Sequence, residues 1–154
     1  MTKTDLMLIG SRRRLSNVTA SPTFAVNDFP VTTVKSLGVT IDENLDWASH
    51  IENIIKKVAP GIRAIKRVRH LIPQATLHLI HRSLVLPYFN YCITVWGNCG
   101  ITLRNKLQKL RNRASRVITF SEYDTDVGYS FELLIWQNLT RLLEIDKATM
   151  VHKS

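Results

Sequence analysis

The sequence predicts an α+β fold: a small N-terminal antiparallel β element over residues 1–45, then a mainly α-helical bundle over 46–154. Three observations predict it. Short β-prone runs separated by turn residues fill the first third of the chain. From Trp47 onward, apolar residues recur at spacings of three and four. A chain of 154 residues with 45% hydrophobic content also suffices for a buried core and argues against disorder.

The β-prone pieces come first. "TDLMLIG" is an apolar run closed by Gly10 and is expected as a buried strand, with "SRRRLSN" a charged turn after it. "TFAV", "FPVTTV" and "SLGVTID" add further strands, three or four in all, with "NDFP" as the turn between the first two. Pro30 suits a strand start or edge, where its missing N–H costs least. Strands this short need something to pack against. Asp42, Glu43 and Asp46 then cluster where strand gives way to helix. They could be an acidic metal site, but turn and N-cap duty is the simpler reading.

The helices follow. Trp47, Ile51, Ile54, Ile55, Val58, Ile62, Ile65, Val68 and Ile72 form one apolar stripe, with Lys56, Arg63, Arg67 and His70 opposite it. Ser49 with Glu52 matches a capping box, and Asp46 competes as N-cap. Pro60-Gly61 should kink this helix without changing its buried face. Pro73 ends it, and "QATLHLIHRSLVL" forms the next, up to Pro87. "YFNYCITVWG" is apolar nearly throughout and is expected as core. Thr102 can cap a helix whose seam is Leu103, Leu107, Leu110, Ala114 and Val117. On that helix Lys106, Lys109, Arg113 and Arg116 form a second stripe, a row of cations along one rod. Ser130 and Asn138 are the expected caps of two closing helices.

Charge narrows the function classes. The net charge is +9, and between Glu52 and Glu122 thirteen Lys or Arg occur without one Asp or Glu. Such a field attracts polyanions, nucleic acids first among them, although a basic face can also serve solubility alone. Lys3 and Asp5 stand where the apolar core of a secretory signal would run, and the longest apolar stretch is too short for a bilayer. Cys92 and Cys99 give neither a disulfide framework nor a CxxC pair, so a reducing intracellular compartment is expected.

Catalytic patterns are few. His78 and His81 at i, i+3 could share a metal, yet no further ligands are suitably spaced, and surface histidines beside Arg82 are the plainer reading. Asp124 and Asp126 form a D-x-D that could hold Mg²⁺. Their Ser, Glu, Thr and Gly flanks instead suggest an acidic loop near arginines. No Gly-rich phosphate loop, nucleophile elbow or Cys/His pair is present.

Several stretches, in order, resemble the C-terminal part of reverse transcriptases from non-LTR (LINE-type, jockey-like) retrotransposons. They are "TKTDLMLIG", "VKSLGVTIDENLDWASHI", "IKKVAPGIRAIKRVRHLI" with its closing R-x-R, "SLVLPYFNYCITVWG", "LQKLRNRASRVIT" and "LLIWQNLTRLLEIDKATMVHK". The resemblance implies that Lys35, Leu37 and Gly38 belong to a palm-edge, primer-grip strand, with Gly38 allowing close backbone approach. It implies that the helices form a thumb and connection region holding RNA template and DNA primer as a hybrid. The nucleic-acid-binding residues would then be Lys35, Gly38, Lys56, Arg63, Lys66, Arg67, Lys106, Lys109, Arg113 and Arg116. The catalytic aspartates and their Mg²⁺ would lie upstream of Met1, leaving this chain with no catalytic residue and no cofactor of its own. Pro60 departs from the helix former expected there. A stand-alone basic binding module and a degenerate reading frame are the alternatives.

Overall fold

A computed structural model describes residues 7–17, 31–122, 126–134 and 136–153. The fold is α+β: among the described residues a short helix and a two-stranded antiparallel sheet precede a run of helices. The chain divides into two compact units, Met1–His50 and Ile51–Ser154.

In the first unit, β1 (Thr33–Ser36) and β2 (Val39–Asp42) pair in the register Val34↔Ile41 and Lys35↔Thr40. "SLGVTID" is therefore not one strand. Leu37 and Gly38 form a two-residue hairpin turn with φ of 46° and 84°. Positive φ at both central positions matches the twist of the strands, and Gly38 supplies it without a Cβ clash. Residues 7–10 are irregular, and Leu8 and Ile9 are exposed, so the described part of "TDLMLIG" is not a buried strand. "SRRRLSN" forms a short helix, α1 (Arg12–Ser16), whose N-cap Ser11 accepts from the Arg14 N–H. The expected strand "TFAV" and the start of "FPVTTV" lie outside the described residues.

The acidic cluster holds the strand-to-helix turn. Asp42 is buried, and its carboxylate accepts the N–H groups of Asn44, Asp46 and Trp47 at 3.2, 2.9 and 2.8 Å. Those bonds stabilise a loop in which Leu45 and Trp47 both have left-handed φ. Asp46 accepts from Ala48 N–H at 2.9 Å, the first residue of α2 (Ala48–Val68). Ser49 lies inside that helix, so the Ser49–Glu52 capping box does not form. In the helix's first turn His50 is buried, and its Nδ1 accepts the Thr40 N–H.

The second unit is built on the remainder of α2. The helix runs without interruption through Pro60, and Ile51, Ile54, Val58, Ile62 and Ile65 bury one continuous face on both sides of it. Each such side chain contributes about 1.5–3 kcal/mol. Gly61 brings α2 close to its neighbour: a Cβ there would lie 3.1 Å from Val85.

After Pro73 come α3 (Gln74–Leu84), α4 (Leu86–Asn90) and α5 (Ile93–Trp96). "YFNYCITVWG" is only half core. Phe89, Ile93 and Trp96 are buried while Tyr88, Tyr91 and Val95 are exposed, because two short helices expose a side that one buried segment would not. Next, α6 (Ile101–Thr119) starts after Gly100, so Thr102 is inside it and no side chain caps it. Then α7 (Val127–Leu134) begins ahead of Ser130, and Asp126 accepts the Gly128 N–H at 3.0 Å. Asn138 does cap α8 (Leu139–Lys153), accepting from Arg141 N–H at 2.8 Å. Among the described residues no helix is long and apolar enough to cross a membrane.

Candidate nucleic-acid interface

The seam of α6 sets where its cations point. Leu107, Ala114, Val117 and Ile118 are buried as apolar contacts, whereas Leu103 and Leu110 are only half-buried. Arg111 and Ser115 complete the buried face. Arg111 donates to the Gln137 carbonyl at 2.6 Å and lies over the rings of Phe89 and Trp136, 5.5 and 5.9 Å from their centroids. Burial pushes its pKa down to about 10. Gln108 adds a second tie, its Oε1 accepting the Leu139 N–H at 3.0 Å. The helix is thus anchored on one side, with Arg104 also turned inward to the Gly97 carbonyl at 3.2 Å, while Lys109 and Arg113 are exposed and Arg116 is half-buried.

Those residues meet the end of α2. Lys66, Arg69, Lys109, Arg113 and Arg116, with Asn112, Val117 and Ser121, line an open concavity of about 640 Å³. Five cations and no carboxylate line it. Among the described residues, Lys66, Arg69, Lys109 and Arg113 make no ion pair with a carboxylate. In an open, partly low-dielectric hollow such charges reinforce one another's field, and a polyanion that enters releases counterions. Neutral Asn112 and Ser121 add hydrogen-bonding groups suited to phosphate or sugar oxygens.

The concavity gathers Lys66, Lys109, Arg113 and Arg116 from the expected binding residues. It does not gather the rest. Lys106 is exposed on α6 beyond its lining. Lys56, Arg63 and Arg67 are exposed on α2, and Lys56 faces Glu52 at 3.9 Å. Lys35 and Gly38 belong to the hairpin of the first unit. Arg69 was not among the expected binding residues; it follows the last residue of α2, which ends at Val68 and not at Pro73 as the pattern predicts. Its signal was the R-x-R closing "AIKRVR".

The two histidines are not the surface residues expected beside Arg82. His81 is buried and stacks on Trp136 with ring centroids 4.1 Å apart, and His78 Nε2 accepts the Trp136 indole N–H at 3.0 Å. Among the described residues no group of three or more His, Cys, Asp or Glu could hold a metal ion, and Asp124 of the D-x-D lies outside them.

Comparison with known proteins adds an independent line. The chain is similar to retrotransposon polymerases. It is 29% identical over 101 residues to the "Retrovirus-related Pol polyprotein from type-1 retrotransposable element R1 2" of Nasonia vitripennis, covering 61% of this chain and 25% of that protein. It is 27% identical over 92 residues to the "Probable RNA-directed DNA polymerase from transposon BS" of Drosophila melanogaster, covering 58% and 10% respectively. The matched region thus spans a quarter or less of these relatives. No protein-family profile matches the chain. No solved structure matches it either.

Proposed function

We propose that this chain is the primer-grip and thumb portion of a non-LTR retrotransposon reverse transcriptase, and that it holds the RNA template and DNA primer by their backbones. The observation that carries this reading is the acid-free concavity in which the end of α2, the turn after it and α6 present Lys66, Arg69, Lys109, Arg113 and Arg116 together. The similarity to two retrotransposon polymerases supports it. Backbone cations and shape complementarity are how a protein grips an A-form-like duplex without reading its sequence. On this reading the Leu37–Gly38 turn touches the primer strand. The Mg²⁺ and catalytic carboxylates belong to another part of such a polymerase, so nucleotide addition is not a property of these residues.

The test is salt-dependent binding of the purified chain to an RNA–DNA hybrid. Replacing Lys66, Lys109, Arg113 and Arg116 with Ala should weaken binding. It should also flatten the plot of log K against log salt, by roughly one unit for each phosphate that is no longer neutralised. Unchanged affinity and slope would remove the concavity from the mechanism.

A further inference from the structure

Phe120 closes α6: its N–H and the Ser121 N–H both reach the Arg116 carbonyl, yet its ring is left partly open. It is the C-cap of α6, with φ 58° and ψ 20°, a left-handed conformation that side chains other than Gly and Asn avoid. The residue is 43% exposed, so burial does not offset that strain. The cap asks only for a left-handed residue, for which Gly would do, so an open aromatic ring there points to a further use.

Its surroundings indicate what that is. The Arg69 guanidinium lies over the Phe120 ring, 5.4 Å from its centroid. The His70 ring sits 5.9 Å away at 59°. Arg69 Nε donates to His70 Nε2 at 3.2 Å, which fixes the guanidinium against the ring. Arg69 also lines the basic concavity, as do Val117 and Ser121 on either side of Phe120 in sequence. An aromatic ring backed by a cation therefore stands at the rim of a hollow lined with five positive side chains.

Resting on the nucleic-acid reading above, we infer that Phe120 is a stacking ledge for an unpaired base, with the phosphates of the same strand entering the concavity. Every base has a π face, so such a ledge is indifferent to sequence. A base inside an uninterrupted duplex cannot reach it, since both its faces are already stacked. The preferred ligand is accordingly a strand with an unpaired nucleotide, either single-stranded or at the end of a duplex.

The experiment measures affinity of the full chain by fluorescence anisotropy for three probes. These are a single strand of about 12 nucleotides in DNA and RNA forms, a blunt RNA–DNA hybrid of that length, and the hybrid with an unpaired extension. Phe120→Leu keeps apolar bulk but lacks the aromatic face, Phe120→Gly suits the left-handed backbone, and Phe120→Trp restores stacking. Leu and Gly variants should weaken single-strand and extended-hybrid binding roughly 10-fold while the blunt hybrid changes less than about 2-fold, and Trp should bind like the parent. Equal losses on all probes, or no loss on any, would overturn the ledge. Replacing Lys109 and Arg113 with Ala separates the two readings. If that change weakens every probe while Phe120→Leu weakens none, the ledge alone fails; if it weakens none, the nucleic-acid reading fails with it.

Discussion

His81 lies nearly flat against Trp136, their ring planes 27° apart, and among the described residues neither of its ring nitrogens has a hydrogen-bond partner. The imidazole comes from α3, the indole from the segment before α8, and Arg111 of α6 lies over the indole 5.9 Å from its centroid. Three parts of the helical unit converge on this stack, and its polar atoms are buried with few partners.

Acid should loosen it. Burial, then the Arg111 guanidinium and then His78, push the His81 pKa from 6.5 to about 3. The unfolded chain therefore takes up a proton that the fold refuses. The contribution linked to His81 is complete above pH 6.5, declines by about 1.4 kcal/mol per pH unit as the pH falls, and levels off near pH 3. Urea midpoints at several pH values check this. His81→Leu should have a flatter acid limb than the parent, and equal limbs would contradict the assignment.

Arg111 should be replaceable by a long apolar side chain but not by a short one. Among the described residues it is a buried cation with one hydrogen bond, to the Gln137 carbonyl, and with Nε and Nη1 unpartnered. Arg111→Met keeps its packing on Phe89 and Trp136 and removes a desolvated charge, so stability should change by less than about 1.5 kcal/mol. Arg111→Ala opens a cavity and should cost about 3–5 kcal/mol. Chemical denaturation of both variants distinguishes packing from charge at this position.

Gly97, the C-cap of α5, packs against Leu143 of α8. A Cβ there would run into the Ile93 carbonyl oxygen and lie 2.8 Å from Leu143 Cδ1. Gly97→Ala should destabilise by about 1–3 kcal/mol through overpacking. Gly100→Ala is the control, since nothing lies within 4 Å of a Cβ at that position. Thermal melting should separate the two.

At the hairpin tip, stability and function should oppose each other. Leu37 is 86% exposed at φ 46°, where Asn is the favoured partner of a following Gly. Leu37→Asn should strengthen the hairpin by about 1 kcal/mol, seen as slower amide exchange at Ser36 and Val39. If the tip touches the primer strand, the same change should weaken hybrid binding.

The helical part of the fold was largely legible because period and burial coincide. The stripe from Ile51 to Ile65 is the buried face of α2, and the side chain of Asn138 caps α8 as its position before "LTRLLEI" suggested. Chemistry at the ends was less legible. Ser49 and Thr102 had capping identities but lie inside their helices, whereas Asp46, the competing N-cap, accepts the Ala48 N–H and Gly100 precedes α6. Arg111 was hidden because a guanidinium in the seam is stabilised by rings contributed from Phe89 and Trp136, far away in sequence. The basic stripe of α6 was visible from spacing. Its union with Lys66 and Arg69 was not, because that depends on how two helices pack.

The crowding of like charges in that hollow means that salt acts on this protein with two opposite signs. In the free chain, added ions screen the mutual repulsion of Lys66, Arg69, Lys109, Arg113 and Arg116, so the fold tightens. Once a polyanion is bound, the same ions compete for those groups and the complex loosens. Melting temperature should therefore rise with salt for the protein alone and fall with salt for the complex. The two curves converge at the ionic strength where the ligand no longer holds.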